Sequence, residues 1–321
     1  MRNTLFAFVL LLAAFFTGCN PAGRGDRGST GEARGQITIS GAFALYPMTV
    51  KWAEEFRNLY PGIQIDISAG GAGKGMADAL SGMVDLGMFS REVSPQEQKK
   101  GAWWIALTKD AVLPTIHAGN PFLGELKKKG VTRDKLIQLF VTGEITTWDE
   151  LLDREPVTKV TLFTRSDACG AAAMWAAYLG VNQEDLKGLG VFGDPGVADA
   201  VKNDRLGLGY NNVAYVYDIN SRDKYELMEV LPLDLNEDGK IDREEQFYGS
   251  LDMVVKAIKE GVYPAPPARE LYFVANGKPE KEEVILFIEW ILTSGQQFLN
   301  EAGYVQLSQE RIDEELAKLK N

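Results

Sequence analysis

What most constrains this chain is an alternation of short apolar strands with amphipathic helices that runs on from residue 36. Residues 37–39 alternate as a short strand, and 48–60 form an amphipathic helix. Residues 63–67 alternate again, 75–82 read as a helix, and 84–88 as a buried strand. Helices over 132–140, 171–178, 252–259 and 280–302 continue the pattern. Elements in this order bury their apolar faces together only as helices layered on a sheet. The expected class is therefore α/β with a largely parallel sheet.

At 321 residues the chain has enough length for two domains with their own cores. A net charge of −11 argues against a nucleic-acid partner. It also leaves any anionic ligand to be caught by local dipoles and donors rather than by a long-range field. At the N-terminus, Arg2 precedes an apolar run over 5–16 and then small residues, the pattern of a targeting segment. That run is too short to span a bilayer. Phe16-Thr17-Gly18-Cys19 is similar to a bacterial lipobox, in which the cysteine becomes a lipidated N-terminus. An ordinary cleaved signal peptide is the other reading. The expectation is an exported protein held at the cell envelope by acyl chains on Cys19. Cys169 is then the one remaining cysteine, and no intrachain disulfide forms. Residues 20–35, rich in Gly and polar side chains, read as a flexible tether.

Three stretches share one form: a strand, a turn of small residues, then a helix. They are 40–47, 70–75 and 165–171. Each aims unpaired backbone N–H groups and the positive end of a helix dipole in one direction, which suits an anion. Gly41, Gly73 and Gly170 let the backbone come close. Arg165 is the candidate charge-assisted partner, with Arg91 a second. The competing readings are a salt bridge from Arg165 to Asp167 and a solvated surface position for Arg91. The 70–75 stretch lacks the spacing of a nucleotide-binding P-loop.

Arg165-Ser166-Asp167-Ala168-Cys169-Gly170-Ala171 resembles the R-S-D-x-S-G-T loop of the PstS-like phosphate-binding proteins. Residues 40–47, 70–75, 84–91, 139–148, 204–210, 270–273 and 302–305 resemble further segments of that family in the same order. The most specific of these is Phe140 to Trp148, similar to the F-x-G-x-I-T-x-W signature. The resemblance implies a two-lobe periplasmic-binding-protein fold of type II, with ligand in the cleft and hinge crossovers near 115–120 and 263–272. Lobe one would be 36–114 plus 271–321, and lobe two 115–270. It also implies ligand contacts from Ala44, Leu45, Tyr46, Gly73, Ser90, Arg91, Arg165, Cys169, Gly170 and Ala171. Where the family has Ser and Thr hydroxyls, this chain has Cys169 and Ala171. Each hydrogen bond lost to a charged ligand is worth roughly 1.5–3 kcal/mol. Two outcomes stay open. The site holds phosphate through backbone N–H groups and Arg165, or it takes a larger, less polar ligand lined by Phe43, Leu45, Cys169 and residues 171–173.

Residues 234–245 match the twelve-residue EF-hand loop. Asp234, Asn236 and Asp238 supply oxygens at positions one, three and five, and Gly239 makes the turn at six. Lys240 offers its carbonyl at seven. Asp242 acts at nine, and Glu245 binds bidentate at twelve. The stretch before Asp234 reads as strand, so the expectation is one structural calcium ion inserted in lobe two rather than a sensor pair.

No enzymatic role is expected. Cys169, His117 and Asp167 could form a nucleophile set only if a base adjoined the thiol, and His117 falls near a predicted crossover. The chain reads as a monomeric, lipid-anchored receptor that hands phosphate or a related oxyanion to an ABC permease. The alternative is a calcium-stabilised surface lipoprotein that has lost transport and serves as a scaffold or sensory partner.

Overall fold

The structure, a computed structural model, describes residues 33–320. The apolar run, Cys19 and most of the tether lie outside the described residues. The strands are β1 (Gly35–Gly41), β2 (Ile63–Ala69), β3 (Leu86–Phe89), β4 (Ala102–His117), β5 (Thr161–Arg165), β6 (Leu189–Val191), β7 (Gly207–Asn212), β8 (Met228–Val230) and β9 (Ala268–Asn276). Their order across the described residues is β2-β1-β3-β9-β4-β7-β5-β6, with β8 beside β4.

Local sequence explains the first unit. Ile63 and Ile65 of β2 turn inward while Gln64 and Asp66 face solvent, the period of a half-buried edge strand. The helix Tyr46–Leu59 buries Met48, Trp52 and Phe56 along one face. Pro61-Gly62 follows and stops it. The Trp52 indole N–H donates to the Gly295 carbonyl at 2.9 Å, fixing this helix to the C-terminal part of the chain.

The largely parallel sheet expected from the alternation is only half right. β1 pairs in parallel with β2 and β3, and β5 with β6 and β7. The long strand β4 and its partner β9 run antiparallel to their neighbours. β4 pairs with β9 from Ala102 to Ala111, then with β7 from Val112 and β8 from Thr115. It therefore belongs to two sheets.

Two apolar cores follow from this. One gathers Ile37 to Leu107 with Leu271 to Leu319; the other gathers Ala111 to Tyr263 with Val305. The chain first passes between lobes within 107–111, several residues ahead of the 115–120 stretch that the resemblance implied. The reason is that β4 stays extended through the crossing, paired with β9 up to Ala111 and with β7 from Val112, so the crossing is a strand and not a loop. The return passage lies between Tyr263 and Leu271. Val305 bridges the crossing: its carbonyl accepts from the Lys109 N–H at 2.9 Å and the Thr108 hydroxyl at 2.8 Å.

Two helices differ from expectation. The 280–302 stretch is a helix Glu282–Leu292, a break at Thr293, and a short turn Ser294–Phe298. Gln296 donates its side-chain amide to the carbonyls of Ile291 and Leu107, at 3.1 and 3.0 Å, and so takes over a helix-end acceptor. In the 132–140 stretch, Arg133–Ile137 widens into a π-helical turn, Gln138–Thr142, closed by Gly143 at φ +74°.

Candidate functional site

The three sequence-predicted loops do converge at the boundary between lobes. In lobe one, the N–H groups of Gly70 and Gly71 both donate to the Gly41 carbonyl, at 2.9 and 3.0 Å. The Ala42 N–H donates to Met88 at 2.9 Å. Gly41 sits at φ +130° against the backbone of Met88 and Gly75, where no side chain fits. These bonds set the helix Ala72–Leu80 beside the end of β1.

Lobe two meets this surface directly. The Gly73 N–H, in the first turn of its helix, donates across to the Ala168 carbonyl at 3.0 Å. Gly170, the first residue of the helix Gly170–Leu179, lies against the backbone and hydroxyl of Ser90. The Tyr215 hydroxyl donates to the Phe43 carbonyl at 3.1 Å, and the Phe43 ring meets Phe192 edge-on at 6.0 Å. The lobes are closed on each other along the line of the predicted site.

Arg165 is buried within this contact, its side chain 1% exposed. Its Nε and Nη2 donate to the two oxygens of Asp167, at 2.8 and 2.6 Å. Nη1 donates to Asp194 at 2.5 Å. The guanidinium carbon lies 5.7 Å from the Phe43 ring centre. Three of its five N–H donors are thus engaged within the protein. Burial works against its charge, but Asp194, with Asp167, outweighs burial and holds the guanidinium protonated. Burial would likewise raise Asp167, and the bonds from Arg165 outweigh it, keeping that carboxyl low. Two carboxylates face one guanidinium, so Arg165 brings N–H donors to the site rather than excess positive charge.

Cys169 caps the Gly170–Leu179 helix. Its sulfur accepts from the Ala172 N–H at 3.4 Å, and its own N–H donates to Gln183 at 3.2 Å. Burial pushes its thiol up to about 12, against the pull of Arg165. Gln183 also donates to the Asp167 carbonyl at 2.8 Å, bracing the loop. Arg91 is held by both oxygens of Glu97, at 3.0 and 2.7 Å, and lies over Phe89.

A cavity of about 310 Å³ opens beside this junction, lined by Gly73, Arg91, Ala168, Cys169 and Gln183 among others. A larger groove of about 980 Å³, partly lined by Phe43, Tyr46, Pro195 and Tyr215, opens elsewhere along the boundary. The structure therefore brings Gly73, Ser90, Arg91, Cys169 and Gly170 together. It places Tyr46 on the larger groove. Ala44, Leu45 and Ala171 are buried. The Ala44 carbonyl accepts from the Tyr304 hydroxyl at 2.7 Å. His117 is buried, and its Nδ1 accepts the Gly119 N–H at 2.7 Å.

Sequence reasoning missed Asp194, Asn212, Asp110 and Arg269. Asp167 is visible as a partner because it lies two residues from Arg165. Asp194 comes 29 residues later, in Gly193-Asp194-Pro195, with no local sign that it turns toward the guanidinium.

In the 234–245 loop, Asp234 Oδ2 accepts the Gly239 N–H at 2.9 Å. Asn236 accepts the Asp238 N–H at 3.1 Å, and Asp238 the Lys240 N–H at 3.2 Å. Gly239 has φ +85°, the left-handed turn that position six needs.

Comparison with known proteins follows the same line. The sequence model of the PBP superfamily domain matches residues 28–294. The phosphate-binding protein PstS of Bacillus subtilis (strain 168) is 29% identical over 229 residues, covering 68% of this chain and 73% of that protein. The PstS of Methanocaldococcus jannaschii is 24% identical over 353 residues, covering 91% of this chain and 88% of its own. A Clostridium perfringens protein, solved with bound phosphate and described as a phosphate ABC transporter substrate-binding protein, superposes with a TM-score of 0.70. It is 20% identical, with 85% of this chain and 100% of that one covered. An ABC-type phosphate transport receptor from Vibrio cholerae gives 0.61 at 18% identity, covering 84% of this chain and 100% of its own. At such identities the superpositions speak to the fold.

Proposed function

The chain belongs to the PBP superfamily, and from that premise we propose that it is the extracytoplasmic solute-binding receptor of an ABC importer for phosphate or a related oxyanion. The observation that carries this reading is the bond from Gly73 to the Ala168 carbonyl, which joins a helix start in one lobe to the turn before a helix start in the other. Around it, the first-turn amides of Ala72, Gly170 and Ala171 have no intrahelical acceptor by the geometry of a helix start. Such amides, backed by two helix dipoles and the spare N–H groups of Arg165, suit an oxyanion. The PstS relatives supply the ligand class.

The mechanism is hinge closure. β4 and β9 connect the lobes as paired strands, so opening rotates one core against the other while both stay intact. A ligand that contacts both lobes selects the closed form, and the permease receives that form. Lipid on Cys19 would keep the receptor at the membrane surface near its permease.

Titration calorimetry of the purified protein with inorganic phosphate, with calcium present throughout, tests this. The expected result is one site per chain with micromolar or tighter affinity, lost in Arg165→Ala and weakened in Ser90→Ala. No heat with phosphate or sulfate at millimolar concentration would overturn the oxyanion reading, and the changed residues Cys169 and Ala171 would then mark a different ligand.

A further inference from the structure

We propose that residues 234–245 form a calcium site that fastens lobe two, a property separate from oxyanion binding. The observation behind it is a buried, unanswered oxygen. Asp234 is 2% exposed, and its Oδ1 has no hydrogen-bond partner. The same carboxylate faces into the loop, since Oδ2 accepts the Gly239 N–H. A carboxylate oxygen withdrawn from water without a donor is stabilised by a cation.

The other end of the loop turns inward too. Glu245 is 4% exposed. Its Oε1 accepts the N–H groups of Leu235 and Asn236, at 2.6 and 3.2 Å, and its Oε2 that of Asp242 at 2.9 Å. Position twelve of the motif thus bonds the backbone of the two residues that follow position one. Lys240 holds its ammonium between Asp238 and Asp242, at 3.1 and 2.6 Å, a cation drawn to the acidic mouth. Among the described residues, no three carboxylate, thiol or imidazole groups already surround a point at metal spacing. Binding therefore requires Asp238 and Asp242 to release Lys240, whose side chain is 62% exposed, and to close toward Asp234.

The donor set selects the ion. Carboxylates, the Asn236 amide oxygen and the Lys240 carbonyl are hard oxygen donors, and the loop holds no thiol or imidazole. Six or seven such oxygens in a flexible loop suit calcium better than magnesium, which demands a tight octahedron. The loop carries six carboxylates against Lys240 and Arg243, a repulsion the ion relieves.

Its place in the fold says what the ion would do. The Ile241 N–H donates to Lys128 at 2.7 Å, and the Asp234 N–H to Val131 at 3.1 Å, on either side of Gly130. Leu233 before the loop and Phe247 and Tyr248 after it are buried in the lobe-two core. An ion in the loop would clamp these attachments together.

The test is calorimetry and thermal melting of the purified, chelator-treated protein with calcium chloride. One ion per chain is expected, with Tm raised by roughly 5 °C when calcium exceeds Kd a hundredfold. Asp238→Ala, at an exposed position that should not disturb folding, should weaken binding tenfold or more. Lys240→Ala should retain calcium and tighten it, because only the backbone of that residue is a ligand. No heat and no Tm difference between calcium and chelator would overturn the proposal. So would undiminished binding in Asp238→Ala, loss of binding in Lys240→Ala, or magnesium binding as tightly as calcium.

Discussion

Arg269 and Asp110 face each other in register on β9 and β4, Nε to Oδ1 at 2.9 Å, where both strands cross between the lobes. Arg269 also donates to the side-chain oxygen of Asn212. The Asn212 N–H donates to Asp194 at 3.2 Å, and Asp194 accepts from Arg165 at 2.5 Å. A path of buried hydrogen bonds therefore runs from the crossing to the candidate site. Both side chains of the Arg269–Asp110 pair are 3% exposed. A pair so buried contributes little net stability, yet breaking it from one side is costly.

Arg269→Met should for that reason destabilise strongly. It leaves Asp110 buried without the counter-ion that holds its carboxyl down, so the acid must stay charged and unpaired or take up a proton, at a cost of about 3–5 kcal/mol. The double variant Arg269→Met with Asp110→Leu removes the orphaned charge and should recover much of that loss. Urea midpoints for the four members of the cycle measure it. Equal losses in the single and double variants would mean that packing, and not charge, decides stability at the crossing.

Asp110 also predicts a pH dependence. Burial pushes its carboxyl up to about 6 from an ordinary 3.8, against the pull of Arg269. A raised acid favours its protonated form in the fold. Its contribution is therefore fully present below the ordinary value and is lost as pH rises toward 6. Across that window it amounts to on the order of 3 kcal/mol. Most paired carboxylates slope the other way, so the comparison must be between variants. From pH 4 to 6, Asp110→Asn should gain stability relative to the parent as pH rises, and above about 6.5 the difference should be flat. A difference independent of pH would show that Asp110 is ionised throughout.

Cys169 predicts chemical silence. With the thiol buried and held up to about 12, the native protein has almost no thiolate at pH 8. Thiol reagents should label it only after unfolding, and slow native labelling should follow the opening of the structure. Cys169→Ser puts a better cap acceptor at the start of the Gly170–Leu179 helix. That substitution should stabilise by up to about 1 kcal/mol and, on the oxyanion reading, tighten phosphate binding several-fold. Rapid native labelling at pH 8 would contradict the buried placement.

Much of this was legible in the residues, and the exceptions share a cause. Alternation along 37–39 and 63–67 and the apolar stripe of Trp52 and Phe56 specify elements through local spacing, so they appear where expected. The small-residue turns announce helix starts for the same reason. What stayed hidden depends on distant pairing. Nothing near residues 102–117 says that one strand serves two sheets, because the two apolar stretches either side of Thr108-Lys109-Asp110 have the same look in either. Arg165 looked available to a ligand because the residue that occupies its third donor, Asp194, is brought near only by the tertiary fold.

Gly170 gives the sharpest separation of fold from function. A Cβ there would run into the carbonyl and hydroxyl of Ser90 in the opposite lobe. The helix start cannot retreat easily, since the Ala173 N–H bonds to Cys169 at 3.1 Å and Cys169 is tied to Gln183. The relief available to Gly170→Ala is to part the lobes. Gly170 is the first helical residue after the Cys169 cap and has no left-handed backbone, so alanine adds no strain within lobe two and the open, folded protein should be about as stable as the parent. Oxyanion affinity should nevertheless fall tenfold or more, because the closed form now costs the lost contact. Small-angle scattering should report a larger radius of gyration with phosphate present than the parent shows. If Gly170→Ala binds phosphate and compacts like the parent, direct Ser90–Gly170 contact is not part of the ligand-bound closed state.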